Sequence, residues 1–154
     1  MPKAVSTNAA TFVARAVALA IDFTLLAAIH FFMFILLAER LFAAVIQLAL
    51  LDILSLYSFY IVVFFVSFVF LHMVYFTLFH ARSGQTIGKM IMNIRVVTRD
   101  NSQVPPSFAF LRWVGYILSF LPLASGFLWS AVDKEHCAWH DRLAQTRVLS
   151  AKMT

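Results

Sequence analysis

Three long hydrophobic segments, at about 12–38, 53–79 and 113–132, constrain the fold more than any other feature of the sequence. Asp22 is the only acid between residues 16 and 38, and the second segment contains no Asp, Glu, Lys or Arg. A helix of roughly 20 apolar residues crosses the hydrocarbon core of a bilayer. Because 62% of the residues are hydrophobic and only 12% are charged, the composition excludes an ordinary soluble domain. We predict an all-α membrane protein with a single domain over residues 1–154.

Basic residues are distributed unevenly between the connecting segments, and this distribution predicts the orientation. Lys3 and Arg15 flank the first segment, and the loop at about 80–112 carries five basic residues against one acid, Asp100. Cytoplasmic loops of membrane proteins are enriched in Lys and Arg. We therefore place the N-terminus and this loop in the cytoplasm, and the connection 39–52 outside as an amphipathic surface turn. The same bias explains the net charge of +5 without a nucleic-acid partner.

The third segment is interrupted by Pro122 and Gly126, where a helix would break and turn. A straight crossing would leave the tail at about 133–154 outside, although that tail is rich in basic residues. Two short runs rich in β-branched residues, at 94–98 and 146–149, are typical of strands. These two strands can pair only if both lie on the same side of the membrane. We predict a broken or re-entrant third segment, a cytoplasmic tail and a small cytoplasmic β element.

Asp22 is the first candidate for a functional residue, because an ionisable group inside a span costs roughly 2.5–3.5 kcal/mol on insertion scales. It can be a proton- or cation-binding carboxylate. Alternatively it is a buried structural acid, bonded to Arg112 or to a Tyr or Ser of the second segment. Arg15 lies seven residues earlier, on the same helical face but about 10.5 Å along the axis. We expect Arg15 to reach back toward the headgroups as an anchor.

Two histidines lie within the apolar segments, His30 in the first and His72 in the second. Imidazole titrates near neutral pH, so the pair could extend Asp22 into a proton relay. The commoner role of such a histidine is a hydrogen bond that holds two helices together, which we favour.

The densest polar cluster covers residues 133–141, from Asp133 to Asp141. If helical, His136 and His140 would present two nitrogens on one face, which is credible geometry for zinc. No second ligand pair accompanies them, so we predict no metal and no cofactor.

A possible phosphate loop, Gly84 to Lys89, fails the required spacing, because three residues separate the glycines and Met90 follows the lysine. We expect a short interfacial helix at 87–93 instead, with Ile87, Met90 and Ile91 toward lipid and Lys89 toward headgroups. No nucleophile and base are arranged for catalysis, so we do not expect an enzyme.

Several motifs together resemble the RDD family of bacterial membrane proteins. They are Phe12-x-x-Arg15 with Asp22, Gly84-Gln85-Thr86-Ile87-Gly88-Lys89 before Ile94-Arg95-Val96-Val97, Pro106-Ser107-Phe108 with Arg112, Gly126-Phe127-Leu128-Trp129, Asp133, and Trp139-His140-Asp141-x-Leu143-Ala144-x-Thr146.

The family is named for an arginine and two aspartates, and the resemblance assigns the first two of these to Arg15 and Asp22. The second aspartate is Asp141 or Asp133. The resemblance further implies the bacterial cytoplasmic (inner) membrane and a lock of the tail against the cytoplasmic loop by Trp139-His140-Asp141. It also suggests transport of an unspecified solute as a function.

Two functions remain open from the sequence. The first is transport of an ion or small solute, with Asp22 as the intramembrane carboxylate and Asp141 or Asp133 as a cytoplasmic gate. Three segments are few to enclose a pathway, so this reading requires a homo-oligomer or a larger membrane-protein partner. The second is a non-transporting accessory or scaffold subunit in the lipid bilayer. The candidate binding residues are Asp22, Arg15, Asp141, Asp133, His140, Arg112, His30 and His72.

Overall fold

The computed structural model describes residues 8–48, 53–133 and 135–151, and within these it is mostly helical with a two-stranded sheet. The elements follow in chain order as α1 (Phe12–Leu48), α2 (Ile53–Ser83), α3 (Ile87–Ile91), β1 (Ile94–Thr98), α4 (Pro106–Phe120), α5 (Ser125–Val132), α6 (Trp139–Leu143) and β2 (Thr146–Ser150).

Helices α1 and α2 are long and apolar enough to cross a membrane, over Phe12–Arg40 and Tyr57–Ser83. The predicted surface turn at 39–52 is wrong over residues 39–48, because α1 continues through them to Leu48. No glycine or proline interrupts that stretch, and Ala, Leu, Glu and Gln all favour helix. The remainder of the predicted turn, residues 49–52, lies outside the described residues.

The third hydrophobic segment is broken, as predicted. Helices α4 and α5 are bent by 98° at a short break that contains Pro122. Leu123 and Ala124 adopt positive φ angles of 51° and 61°, which turn the chain where proline cannot continue the helix. Gly126 permits the two helices to touch, since a Cβ there would lie 2.6 Å from the Cα of Ser119. Helix α4 begins at Pro106, earlier than the predicted segment, because proline fits the first helical turn.

The predicted strands pair antiparallel, from Ile94 opposite Ser150 to Thr98 opposite Thr146. The segment before α1 joins them, because the Ala10 N–H donates to the carbonyl of Val148 at 2.9 Å. The end of α2 is tied to β1 through a 2.8 Å bond from the Val96 N–H to the carbonyl of Gly84. The start of α1, the end of α2 and the C-terminal strand therefore lie together.

A short helix forms at the predicted place as α3, shorter than expected, with the Thr86 side chain accepting from the Lys89 N–H at its start. Ile87, Met90 and Ile91 are exposed, as expected of a lipid-facing side. The predicted placement of Lys89 toward headgroups is wrong, because its side chain is buried with Nζ 5.9 Å from the centroid of the Phe76 ring. The side of α3 opposite its exposed apolar residues packs against the protein, and Lys89 lies on that buried side with Gly88.

The chain divides into two compact units. One comprises Met1–Asp22 with Met73–Thr154, of which residues 8–22, 73–133 and 135–151 are described. It contains the sheet and a core of small and β-branched side chains: Ala10, Ala18, Ile94, Val96, Val104, Ala109 and Val148. The other is Phe23–His72, in which aromatic side chains such as Phe34 and Phe64 pack edge to face at 4.8 Å.

Candidate functional site

Asp141 in α6 is enclosed by two arginines that are distant in sequence. Arg15 of α1 donates to its Oδ2, and the guanidinium of Arg112 in α4 forms an ion pair with its Oδ1. The Ala138 N–H also donates to Oδ2, at 2.9 Å. The carboxylate is completely buried. One acid thus connects the beginning of α1 and the middle of α4 to the C-terminal segment.

The charges around Asp141 decide its protonation. Burial alone would raise the pKa of this carboxyl, but the positive charge of Arg112, then that of Arg15, outweighs burial and holds the pKa well below its usual range. Asp141 is therefore ionised at neutral pH. Two guanidinium groups face a single carboxylate, so the cluster keeps one excess positive charge in its immediate surroundings.

Both arginines make further bonds that fix their orientation. The Arg112 guanidinium donates to the Thr146 hydroxyl at 2.6 Å and to the Tyr116 hydroxyl at 3.3 Å. Arg15 also donates to the carbonyl of His136. The expectation that Arg15 is a headgroup anchor is wrong, since its side chain is only 11% exposed and is bound to Asp141. A carboxylate within the same protein competes better for a guanidinium than a distant headgroup does.

Asp22 lies in a closed set of hydrogen bonds. Its Oδ1 accepts from the Tyr75 hydroxyl at 2.7 Å and from the Gly88 N–H at 2.8 Å, while Oδ2 accepts from the Thr86 hydroxyl at 2.5 Å. The side chain is fully buried. The suggested hydroxyl partner in the second segment is thus Tyr75. The suggested partner Arg112 is wrong, because its guanidinium is engaged by Asp141.

The backbone of α3 must approach the backbone of α1 closely for Asp22 to accept these hydrogen bonds. A Cβ at position 88 would lie 2.1 Å from the carbonyl oxygen of Ala18 and 3.1 Å from the Asp22 carboxyl carbon. Gly88 therefore brings the first turn of α3 against α1, where its N–H can reach the carboxylate.

Asp133 has different partners from those of Asp141. Its Oδ1 accepts from Arg142 at 2.6 Å, and its Oδ2 accepts from the Cys137 N–H at 2.9 Å. The Cys137 N–H is the first cause of the lowered pKa of Asp133, and the positive charge of Arg142 adds to it. The contact with Arg15 favours Asp141 over Asp133 as the second aspartate of the resemblance.

His140 packs inside the same cluster. Its Nδ1 lies 3.3 Å from the Ser119 hydroxyl, and its ring meets the Tyr116 ring at 4.6 Å. Burial is the main reason that its pKa falls well below the ordinary value, although Asp141 opposes the shift. The imidazole is neutral at physiological pH. His136 precedes α6 and does not share its helical face, and among the described residues no group of three or more potential ligands could hold a metal.

His30 and His72 belong to the Phe23–His72 unit, and both are buried there. The His30 ring lies edge-on to Phe64 at 4.7 Å, and the His72 Nδ1 lies 2.8 Å from the carbonyl of Phe68. These contacts are to apolar rings and to backbone.

Sequence reasoning predicted a hydroxyl partner of Asp22 in the second segment but missed the other two donors, Thr86 and Gly88. The Thr86 and Gly88 positions were interpreted only as parts of an interfacial helix. A threonine immediately before a short helix is a signal for an N-cap. The free N–H groups in the first turn of such a helix can also donate to a carboxylate from elsewhere in the chain. The position of Tyr75 within a charge-free span was also a signal, because a buried hydroxyl requires a partner.

These features define a helical protein with two long apolar helices, a bent helix pair and buried arginine–aspartate bonds that join the start of α1 and the middle of α4 to α6. The chain belongs to the RDD family, whose sequence model matches residues 9–145 and so covers Arg15, Asp22 and Asp141. Family membership and the apolar helices point to a membrane protein. No curated protein and no solved structure matches the chain.

Proposed function

We propose that the protein is a multi-pass protein of the bacterial cytoplasmic (inner) membrane, with its N-terminus in the cytoplasm. Helices α1 and α2 cross the bilayer in this proposal, and the bent pair α4 and α5 enters and returns. Three observations support it: the exposed apolar side chains of α1 and α2, the basic residues of the 80–112 loop, and the joining of β2 to the start of α1. A straight third crossing would separate β2 from β1.

We further propose that the protein acts as a non-transporting accessory or scaffold subunit rather than as a carrier or an enzyme. The observation that carries this proposal is that both carboxylate oxygens of Asp22 already accept hydrogen bonds. Three donors of the same chain bond to them. A carboxylate that binds a transported proton or cation must release such partners in each cycle, and the buried donors would then be left unsatisfied.

In this proposal the bonds of the two buried aspartates serve as a structural lock. Asp141 holds the tail to α1 and α4, while Asp22 holds α3 to α1 and α2. The lipid bilayer covers most of the exposed apolar surface, and a second copy or a larger membrane protein covers the remainder. Large side chains such as Phe65 and Phe70, each about 60% exposed, supply that surface.

The test compares Asp22→Asn with Glu39→Gln, a matched loss of charge at an exposed position of the same helix. Wild-type protein is reconstituted into liposomes that contain a pH-sensitive dye. We expect no proton flux above protein-free liposomes under any imposed ion gradient. We expect Asp22→Asn to lower the unfolding free energy by about 1–3 kcal/mol, since the amide turns an N–H group toward existing donors.

Transport would replace this proposal if wild-type liposomes carried a proton-coupled flux. The decisive pattern would be an Asp22→Asn variant that keeps wild-type stability and abundance but loses the flux, while Glu39→Gln retains it.

A further inference from the structure

A cavity with both polar and apolar lining lies between the end of α2, strand β1 and the loop that follows β1. Its volume is about 230 Å³, and the residues that line it include Arg82, Ser83, Arg95, Asn101, Ser102 and Gln103. Liquid water takes about 30 Å³ per molecule, so several waters or one phosphate group with its remaining hydration would fit. Among the lining residues, Arg82 and Ser102 are exposed.

The lining is basic and supplies donors without a carboxylate. No ion pair within the described part of the chain engages Arg82 or Arg95. Asp100 lies nearby but is outside the lining, and its Oδ1 accepts from the hydroxyls of Thr98 and Ser102 at 2.5 and 3.2 Å. Such a cavity favours an anion over a metal cation.

Strand register adds a third arginine beside this cavity. Arg147 pairs with Val97, two residues beyond Arg95, so both arginines stand on the same face of the sheet. Val96 and Val148 occupy the opposite face, which belongs to the core. Arg147 donates to Asn101 at 2.7 Å and so holds one side of the cavity.

Two donors in this group lack an acceptor among the described residues. The Nε–H groups of Arg95 and Arg147 are both buried, and no described residue accepts a hydrogen bond from them. A buried guanidinium N–H that lacks an acceptor is costly, and a phosphate oxygen is the acceptor that arginine matches best. We propose that this cavity binds a phosphate group, with Arg82 and Arg95 as its direct ligands.

The site goes beyond the proposed scaffold role and does not depend on it. Its ligand can come from two sources, since a free phosphate ion and the phosphate of a lipid headgroup present the same oxygens. The location at the end of α2, next to an apolar span, makes the headgroup accessible if the protein is in a membrane. Two arms of one experiment separate these sources.

The experiment uses the full chain. In detergent, binding of inorganic phosphate is followed by calorimetry. In phosphatidylcholine nanodiscs, binding of added phosphatidic acid is followed by native mass spectrometry. Arg82→Gln and Arg95→Gln are compared with Arg99→Gln, which removes the same charge from an exposed residue outside the cavity. Arg82 is exposed, so its substitution tests the site even if Arg95→Gln fails to fold.

We expect Arg82→Gln and Arg95→Gln to weaken binding by about tenfold or more, and Arg99→Gln to leave it unchanged. Binding of inorganic phosphate identifies a soluble ligand, and binding of phosphatidic acid alone identifies a headgroup. The proposal is overturned if neither probe binds the wild-type chain. It is equally overturned if all three variants weaken binding alike, since that pattern reports only net charge.

Discussion

Two fully buried carboxylates, Asp22 and Asp141, each bond to several segments of the chain, and their partners differ. Asp141 is paired with two arginines, whereas Asp22 accepts hydrogen bonds from two hydroxyl groups and a backbone N–H. A buried ion pair contributes little net stability compared with apolar packing, but loss of one partner is expensive. The main effect of both acids is therefore to specify which segments of the chain meet. Their contribution to the total stability is smaller.

Stability should fall as the pH is lowered, first through His140 and then through Asp141. Burial lowers the pKa of His140, and Arg112, acting against burial, keeps the pKa of Asp141 low. Each group thus has a lower pKa in the folded protein than in the unfolded chain, which then binds more protons. The stabilisation from each group is complete above its pKa in the unfolded chain, about 6.5 for His140 and 3.9 for Asp141. It is lost progressively as the pH falls from that value toward the lower pKa of the folded protein.

The measurement is Tm against pH between about 7 and 5 for purified protein in detergent, a range in which histidine titrates. We expect His140→Asn to flatten the decline, because asparagine keeps a polar group near Ser119 but cannot take a proton. His136→Asn, at an exposed position, should leave the slope as it is in wild type. Equal slopes for the wild type and both variants would contradict the assignment.

At the scale of elements, close contacts between helices depend on glycines, as two positions illustrate. Gly88 brings α3 to α1, and Gly126 brings α5 to α4. In an ordinary helix, replacing glycine by alanine is favourable by up to about 1 kcal/mol. Where backbone fills the space of the new Cβ, the sign of that effect reverses.

Gly88→Ala should therefore destabilise the protein, by about 1–3 kcal/mol as expected for an overpacked contact. The new methyl group meets the carbonyl oxygen of Ala18, and the separation of α3 from α1 also lengthens the bond from the Gly88 N–H to Asp22. Unfolding in a denaturing detergent measures the change. Ile91→Ala, at an exposed position of α3, serves as the control and should have a smaller effect. A gain in stability on Gly88→Ala would be inconsistent with the observed approach.

At the scale of the whole molecule, the apolar segments, the broken third helix and the two strands followed from the sequence. Each depends on local signals: hydrophobic runs, Pro122 with Gly126, and β-branched residues. Apart from a hydroxyl partner for Asp22, the partners of Asp22 and Asp141 did not follow, because a pairing between residues far apart in the sequence, such as Arg15 and Asp141, has no local signature. Lys89 was misplaced for the same reason, since its burial depends on Phe76 of another helix.

The proposed topology places Ala151 in the cytoplasm and Ala43 outside. In a Cys137→Ser background, a single cysteine is introduced at either position and treated with a membrane-impermeant maleimide. We expect Ala43→Cys to react in spheroplasts and Ala151→Cys to react only in inverted vesicles. Reaction of Ala151→Cys in spheroplasts would place the tail outside and require a straight third crossing.

The contact between Arg15 and Asp141 is central, because it connects the first helix to the tail. A double-mutant cycle with Arg15→Gln and Asp141→Asn, followed by unfolding in detergent, measures this contact directly. Asp141→Asn alone should cost about 3–5 kcal/mol, since it leaves buried Arg112 uncompensated. We predict a coupling energy of at least about 1 kcal/mol for this pair and none for Arg15→Gln with Asp133→Asn. Additivity of Arg15→Gln and Asp141→Asn within about 0.5 kcal/mol would contradict the structural lock.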